Sequence, residues 1–128
     1  MSSVNRRRLI TVSATVIALG LFPAADAFAH AHLKLSDPAA NATITKAPSE
    51  LKLTFSESVE VKFSGATLTG PDKKMVKTGP AAPDPKDKSA ITVPISGELT
   101  AGKYTVSWHN LSTDGHKLTG SFVFTVKP

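Results

Sequence analysis

Residues 104–126 read YTVSWHNLSTDGHKLTGSFVFTV. Tyr104, Val106 and Trp108 alternate with Thr105, Ser107 and His109, and further on Phe122, Phe124 and Val126 alternate with Val123 and Thr125. In an extended chain successive side chains point to opposite faces, so this period of two predicts strands with one face on a core and one in solvent. Asp114-Gly115 between the two runs is a turn signal. The stretch reads as two strands joined by a turn that carries an aspartate and a histidine.

Working outward, the same period recurs. Leu33 and Leu35 flank Lys34; Leu51, Leu53 and Phe55 alternate with Lys52 and Thr54; Ala66 and Leu68 alternate with Thr67 and Thr69; Ile91, Val93 and Ile95 form another set. Residues 74–77 are a weaker strand candidate. Asp37-Pro38, Ala47-Pro48, Gly70-Pro71-Asp72, Gly79-Pro80, Asp84-Pro85 and Ala101-Gly102 punctuate these runs. No window of adequate length has a helical period with caps. About seven short strands in roughly 100 residues predict an all-β fold, an immunoglobulin-like sandwich or a small Greek-key barrel. Residues 79–88, rich in Pro, Ala, Asp and Lys, are expected to form a mobile surface loop.

The beginning of the chain has a different composition. Arg6, Arg7 and Arg8 precede a short apolar stretch over residues 9–22, and Ala27-Phe28-Ala29 places small residues where signal peptidase needs them. This is the pattern of a secretory signal peptide over residues 1–29. The apolar run is too short to span a bilayer well. Asn5-Arg6-Arg7-Arg8-Leu9-Ile10 also loosely resembles a twin-arginine signal, so the export route stays open. Cleavage after Ala29 leaves residues 30–128 as one domain of 99 residues, long enough to fold without disulfides or metal. Ala29-His30-Ala31 is a rival cleavage pattern that would start the chain at His32. With the leader removed, Lys+Arg falls from 15 to 12 and Asp+Glu from 10 to 9, so the formal charge drops from +5 to +3. The lysines are scattered with few aromatics between them, which argues against a nucleic-acid partner.

There is no cysteine, so metal or acid–base chemistry is limited to His, carboxylate, backbone nitrogen and Met. Of the four histidines, His109 follows core Trp108 on a strand and is expected to face solvent. His30 differs because cleavage would make it the N-terminus. Its amine and ring could then close a six-membered chelate on one ion, both groups titrating near neutral pH at about 7.7–8 and about 6.5. His32 offers a second mode, in which the terminal amine, two backbone amides and the third-residue imidazole form a square-planar site. Either suits Cu(II), which favours nitrogen and oxygen donors in tetragonal geometry. Asp114 and His116 flank Gly115 and can point the same way, so their carboxylate and imidazole could converge on the same ion. Cu(I) would want sulfur, and after cleavage only Met75 remains. No G-x-S-x-G elbow or phosphate-binding glycine loop is present, and Glu57 with Glu60 is a carboxylate pair that any sandwich surface could carry.

His30-Ala31-His32-Leu33-Lys34, Asp37-Pro38-Ala39, Leu51-Lys52-Leu53-Thr54-Phe55-Ser56-Glu57, residues 99–108 and Ser112-Thr113-Asp114-Gly115-His116, followed by Gly120 and Phe122-Val123-Phe124, together resemble the CopC family of periplasmic copper-resistance proteins. The likeness spans essentially the whole mature domain, in order. It implies a cupredoxin-like or immunoglobulin-like β-barrel binding one Cu(II) ion through His30, Asp114 and His116. It also implies His32 as a further candidate ligand and Glu57 as a weak or outer neighbour of the site. The methionine-rich Cu(I) site of some members has no counterpart here. A periplasmic, monomeric copper carrier or buffer, linked to a CopD-type inner-membrane protein, is the implied role. Two other classes compete with it. A copper monooxygenase also uses an N-terminal histidine, but Asp114 would occupy a position that oxygen activation needs open. A metal-free interaction sandwich is the third, separable by intact mass with and without copper.

Overall fold

The computed structural model describes residue 20 and residues 31–128; the expected leader and His30 lie outside the described residues. The elements in chain order are β1 (Leu33–Asp37), β2 (Thr43–Ile44), β3 (Glu50–Phe55), a 3-10 turn (Val61–Phe63), β4 (Gly65–Thr69), β5 (Met75–Val76), β6 (Ala82–Pro83), β7 (Ala90–Pro94), β8 (Gly102–Leu111) and β9 (Lys117–Val126). They form a four-stranded sheet in the order β1-β3-β7-β6 and a five-stranded sheet in the order β2-β9-β8-β4-β5. All neighbours pair antiparallel except β2 with β9.

The alternation in the sequence sets the faces. From the first sheet Leu51, Leu53, Phe55, Ile91 and Val93 are buried, and from the second Leu68, Tyr104, Val106, Trp108, Phe124 and Val126. Burying side chains of this size contributes about 1.5–3 kcal/mol each, which accounts for a domain that needs no cross-link. Phe55 and Trp108 join the two sheets, with ring centroids 5.3 Å apart and planes tilted by 57°. Tyr104 stacks on Phe124 at 5.5 Å, and its hydroxyl donates to the Thr100 carbonyl at 2.7 Å, so its polar end is satisfied inside the core. Gly120 lies opposite Trp108 on the β8–β9 ladder, and a Cβ there would collide with the indole.

Three details differ from the sequence expectation. The described strands number nine because β2, β5 and β6 are two residues each, too short to show a period. Leu35 does not share the core face of Leu33: the pairing register shifts between them, a β-bulge that inserts Lys34 and turns Leu35 outward to 65% exposure. Residues 79–88, expected as a loop, contain β6, whose Ala82 and Pro83 pair with Thr92 and Ile91. The segment is fastened further by Asp84, whose carboxylate meets Lys52 Nζ at 3.2 Å and accepts the Lys86 N–H at 2.8 Å. The Lys86 N–H and then Lys52 hold the Asp84 carboxyl below the usual carboxylate range. Lys74–Lys77, the weaker candidate, does contain a strand, β5.

Candidate metal centre

The β8–β9 ladder ends at the Leu111–Lys117 pair, leaving five residues to turn the chain. Ser112 organises them. It is 1% exposed, its N–H donates to the His116 carbonyl at 2.8 Å, and the Gly115 N–H returns to the Ser112 carbonyl at 2.9 Å. Gly115 has φ 94°, a conformation that costs a side chain but not glycine. The Ser112 hydroxyl accepts the His116 N–H at 3.1 Å and donates to Asp114 Oδ1. That donation, ahead of a weaker one from His116, holds the Asp114 carboxyl below its ordinary value, so it stays ionised to lower pH than a free aspartate.

Asp114 Oδ1 and His116 Nδ1 are 3.1 Å apart, and the side chains are 44% and 46% exposed, so solvent and solutes reach both. Donors about 2.0–2.1 Å from one first-row ion, at adjacent corners of a square, stand about 2.9 Å from each other. The observed 3.1 Å is close to that spacing, and the two side chains lie on one side of the turn within hydrogen-bond distance of each other.

The start of β1 is attached to the same end of the molecule. Ala31 is 1% exposed and its carbonyl accepts a hydrogen bond from Asn110 Nδ2 at 2.7 Å, on β8 two residues before Ser112. His32 is exposed; its N–H donates to Ser56 Oγ at 3.0 Å, and its carbonyl accepts from the Ser56 N–H at 2.8 Å. The segment after β3 then runs to the turn: Val59 bridges Ser112, and the Thr113 N–H donates to the Ser58 carbonyl at 3.1 Å. Half-buried Glu57 sits on this connecting segment, between the residue that touches His32 and the residue that touches Thr113. Among the described residues no group of three or more His, Asp or Glu side chains could hold a metal, so His32 and Glu57 do not complete a cluster with Asp114 and His116.

The remaining sequence candidates fall elsewhere. His109 points to solvent over Gly65, where an added Cβ would lie 3.2 Å from its ring. Met75 is 68% exposed on β5, level with Thr105 through Thr69 and so roughly 20 Å along β8 from Leu111. Ser112, Asn110 and Ser56 were not singled out from sequence. Asn110 alone left a signal, since it shares the inward parity of Tyr104, Val106 and Trp108 yet is polar.

Residues 33–127 match the family model of the CopC domain. The chain belongs to the CopC family. Among its relatives, protein YobA of Escherichia coli K12 is 49% identical over 100 residues, covering 78% of this chain and 81% of that one. The crystal structure of PcoC, a methionine-rich copper resistance protein from Escherichia coli, superposes with a TM-score of 0.68 at 38% identity, covering 77% of this chain and all of the other. Copper transport protein CutJ of Bacillus subtilis is 27% identical over 99 residues, which are 77% of this chain but 18% of that protein. The CopC assignment agrees with the two-sheet all-β architecture. Among the described residues no helix is long and apolar enough to cross a membrane.

Proposed function

We propose that this CopC-family protein is a non-catalytic periplasmic Cu(II) carrier or buffer, and that its mature chain begins at His30 after cleavage behind Ala29. The site would take the His30 amine and ring, the Asp114 carboxylate and the His116 ring around one Cu(II) ion, with His32 nearby and Glu57 a weak outer neighbour rather than a ligand. The observation that carries the reading is the Asp114–His116 pair at 3.1 Å, open to solvent, at the end of the molecule where the Ala31 carbonyl is tied to Asn110. Two donors are too few for a tight site, and the next residue toward the N-terminus is one that brings two more.

The donor set supports Cu(II) over Cu(I). Carboxylate, imidazole and amine are nitrogen and oxygen ligands, and the mature chain has only Met75, exposed and far from the turn. The copper resistance and copper transport names of the relatives support copper as the cargo. A match to 18% of a larger protein named for copper transport supports a role in copper transfer, for which a CopD-type inner-membrane protein is the proposed partner.

A Cu(II) titration of the protein starting at His30, against one carrying a Met before His30, tests this directly. The extra residue moves the amine away, so binding weakens strongly if His30 is a ligand. Equal affinities would remove His30 from the site.

A further inference from the structure

The peptide joining Ala31 to His32 is held from both sides. Its carbonyl accepts from Asn110 Nδ2 at 2.7 Å, and its N–H donates to Ser56 Oγ at 3.0 Å. Asn110 belongs to β8 in the five-stranded sheet, and Ser56 directly follows β3 in the four-stranded one, so a single peptide unit is fastened to both layers of the sandwich. Asn110 is 2% exposed and lies on the inward face of its strand. Its Oδ1 is buried and has no hydrogen-bond partner among the described residues. A buried amide oxygen left unpaired is unfavourable, and a leucine would fill the position without it. Core packing alone therefore does not account for asparagine at this position. What the side chain does is hold Ala31, and two residues further along the chain, just past the end of β8, Ser112 arranges Asp114 and His116.

We propose that Asn110 is a positioning residue for the Cu(II) site: by fixing the Ala31–His32 peptide it sets where the chain enters the end of the molecule that carries Asp114 and His116. The inference rests on the reading of His30 as a ligand. Residues that orient metal ligands without touching the ion act by limiting the geometries those ligands explore, and their loss typically costs about 10- to 100-fold in metal affinity.

The test is a double-mutant cycle read by competition with a chromophoric Cu(II) chelator. Wild type and Asn110→Leu are each prepared with His30 as the first residue and with a Met before it. The expected result is a loss of about 10- to 100-fold for Asn110→Leu in the His30-start protein, with a changed Cu(II) electron paramagnetic resonance spectrum, and little further loss in the Met-extended protein. Equal losses in both proteins would make Asn110 merely structural and overturn the proposal, as would no loss in either. If Asn110→Leu does not fold, Ser56→Ala takes its place in the same cycle, because it loosens the same peptide from the exposed side. A Met extension that leaves wild-type affinity unchanged would instead remove His30 as a ligand, and the inference with it. Extension sensitivity without an effect of Asn110→Leu would overturn the inference alone.

Discussion

Replacing Ser112 by alanine should separate metal binding from folding. The hydroxyl accepts the His116 N–H at 3.1 Å, a neutral bond, and its one proton goes to the Asp114 carboxylate, with the His116 carbonyl also in reach at 3.2 Å. The neutral bond is worth about 0.5–1.5 kcal/mol. The other ends on a side chain that is 44% exposed, where water competes, so it adds little to fold stability. The apo protein should thus lose about 1 kcal/mol, which for a domain near 100 residues lowers Tm by about 4–8 °C. If Asp114 and His116 are ligands as proposed, copper binding should suffer more, by about 10- to 100-fold, because the same hydroxyl orients the carboxylate of the one and the backbone of the other. The Asp114 carboxyl should also titrate at higher pH once its largest stabilising donor is gone. Calorimetry on the apo protein, chelator competition with Cu(II), and carboxyl-carbon NMR titration give the three readouts. An unchanged Cu(II) affinity, or an Asp114 midpoint that does not rise, would refute the role given to Ser112.

Three further outcomes are expected. Trp108→Ala should cost the apo protein about 3–5 kcal/mol by emptying the contact with Phe55, whereas His116→Ala should leave apo stability nearly unchanged; thermal unfolding of the two metal-free variants would show a reversed order if the fold depended on the site. Cu(II) affinity should fall steeply from about pH 7 to pH 5, as imidazoles with reference pKa near 6.5 take up protons, and a flat profile in a chelator-buffered titration would argue against histidine ligation. The Asp84 carboxyl has a folded pKa below its unfolded value of about 3.9, so its contribution is present above that value and lost as pH falls through the lowered one. Urea midpoints of wild type and Asp84→Asn should therefore differ at pH 5 and converge toward pH 3; a gap that widens on acidification would reverse the assignment.

The long strands were legible because each has one face on the core and one in water. Tyr104, Val106 and Trp108 on β8 and Leu51, Leu53 and Phe55 on β3 show the period with no interruption. The short strands were not, since two residues such as Ala82 and Pro83 carry no period and are defined only by their partner β7. Leu35 misled because a bulge is an insertion in the pairing, invisible in the composition of one strand. At the site, Asp114 and His116 announced themselves by residue type and spacing. The polar groups that fasten the start of β1 did so poorly, since the Ser56 hydroxyl and the Asn110 amide acquire their roles from contacts 24 and 79 residues away in the chain, with His32 and Ala31. Only the inward parity of Asn110 was open to reading.

The outermost strands of the two sheets have one more consequence. β2 and β5 expose two residues of backbone each, β6 ends in Pro83, which has no N–H to give, and β1 is bent by its bulge at Lys34. A strand from a second molecule extends a sheet by docking along a flat, continuous row of unpaired amides and carbonyls, and none of the four margins supplies one. Three of these borders are thus too short, and the fourth too irregular, to serve as a template for edge-to-edge pairing. In a chain without cysteines that limit is architectural, and it is fixed by the fold rather than by the surroundings.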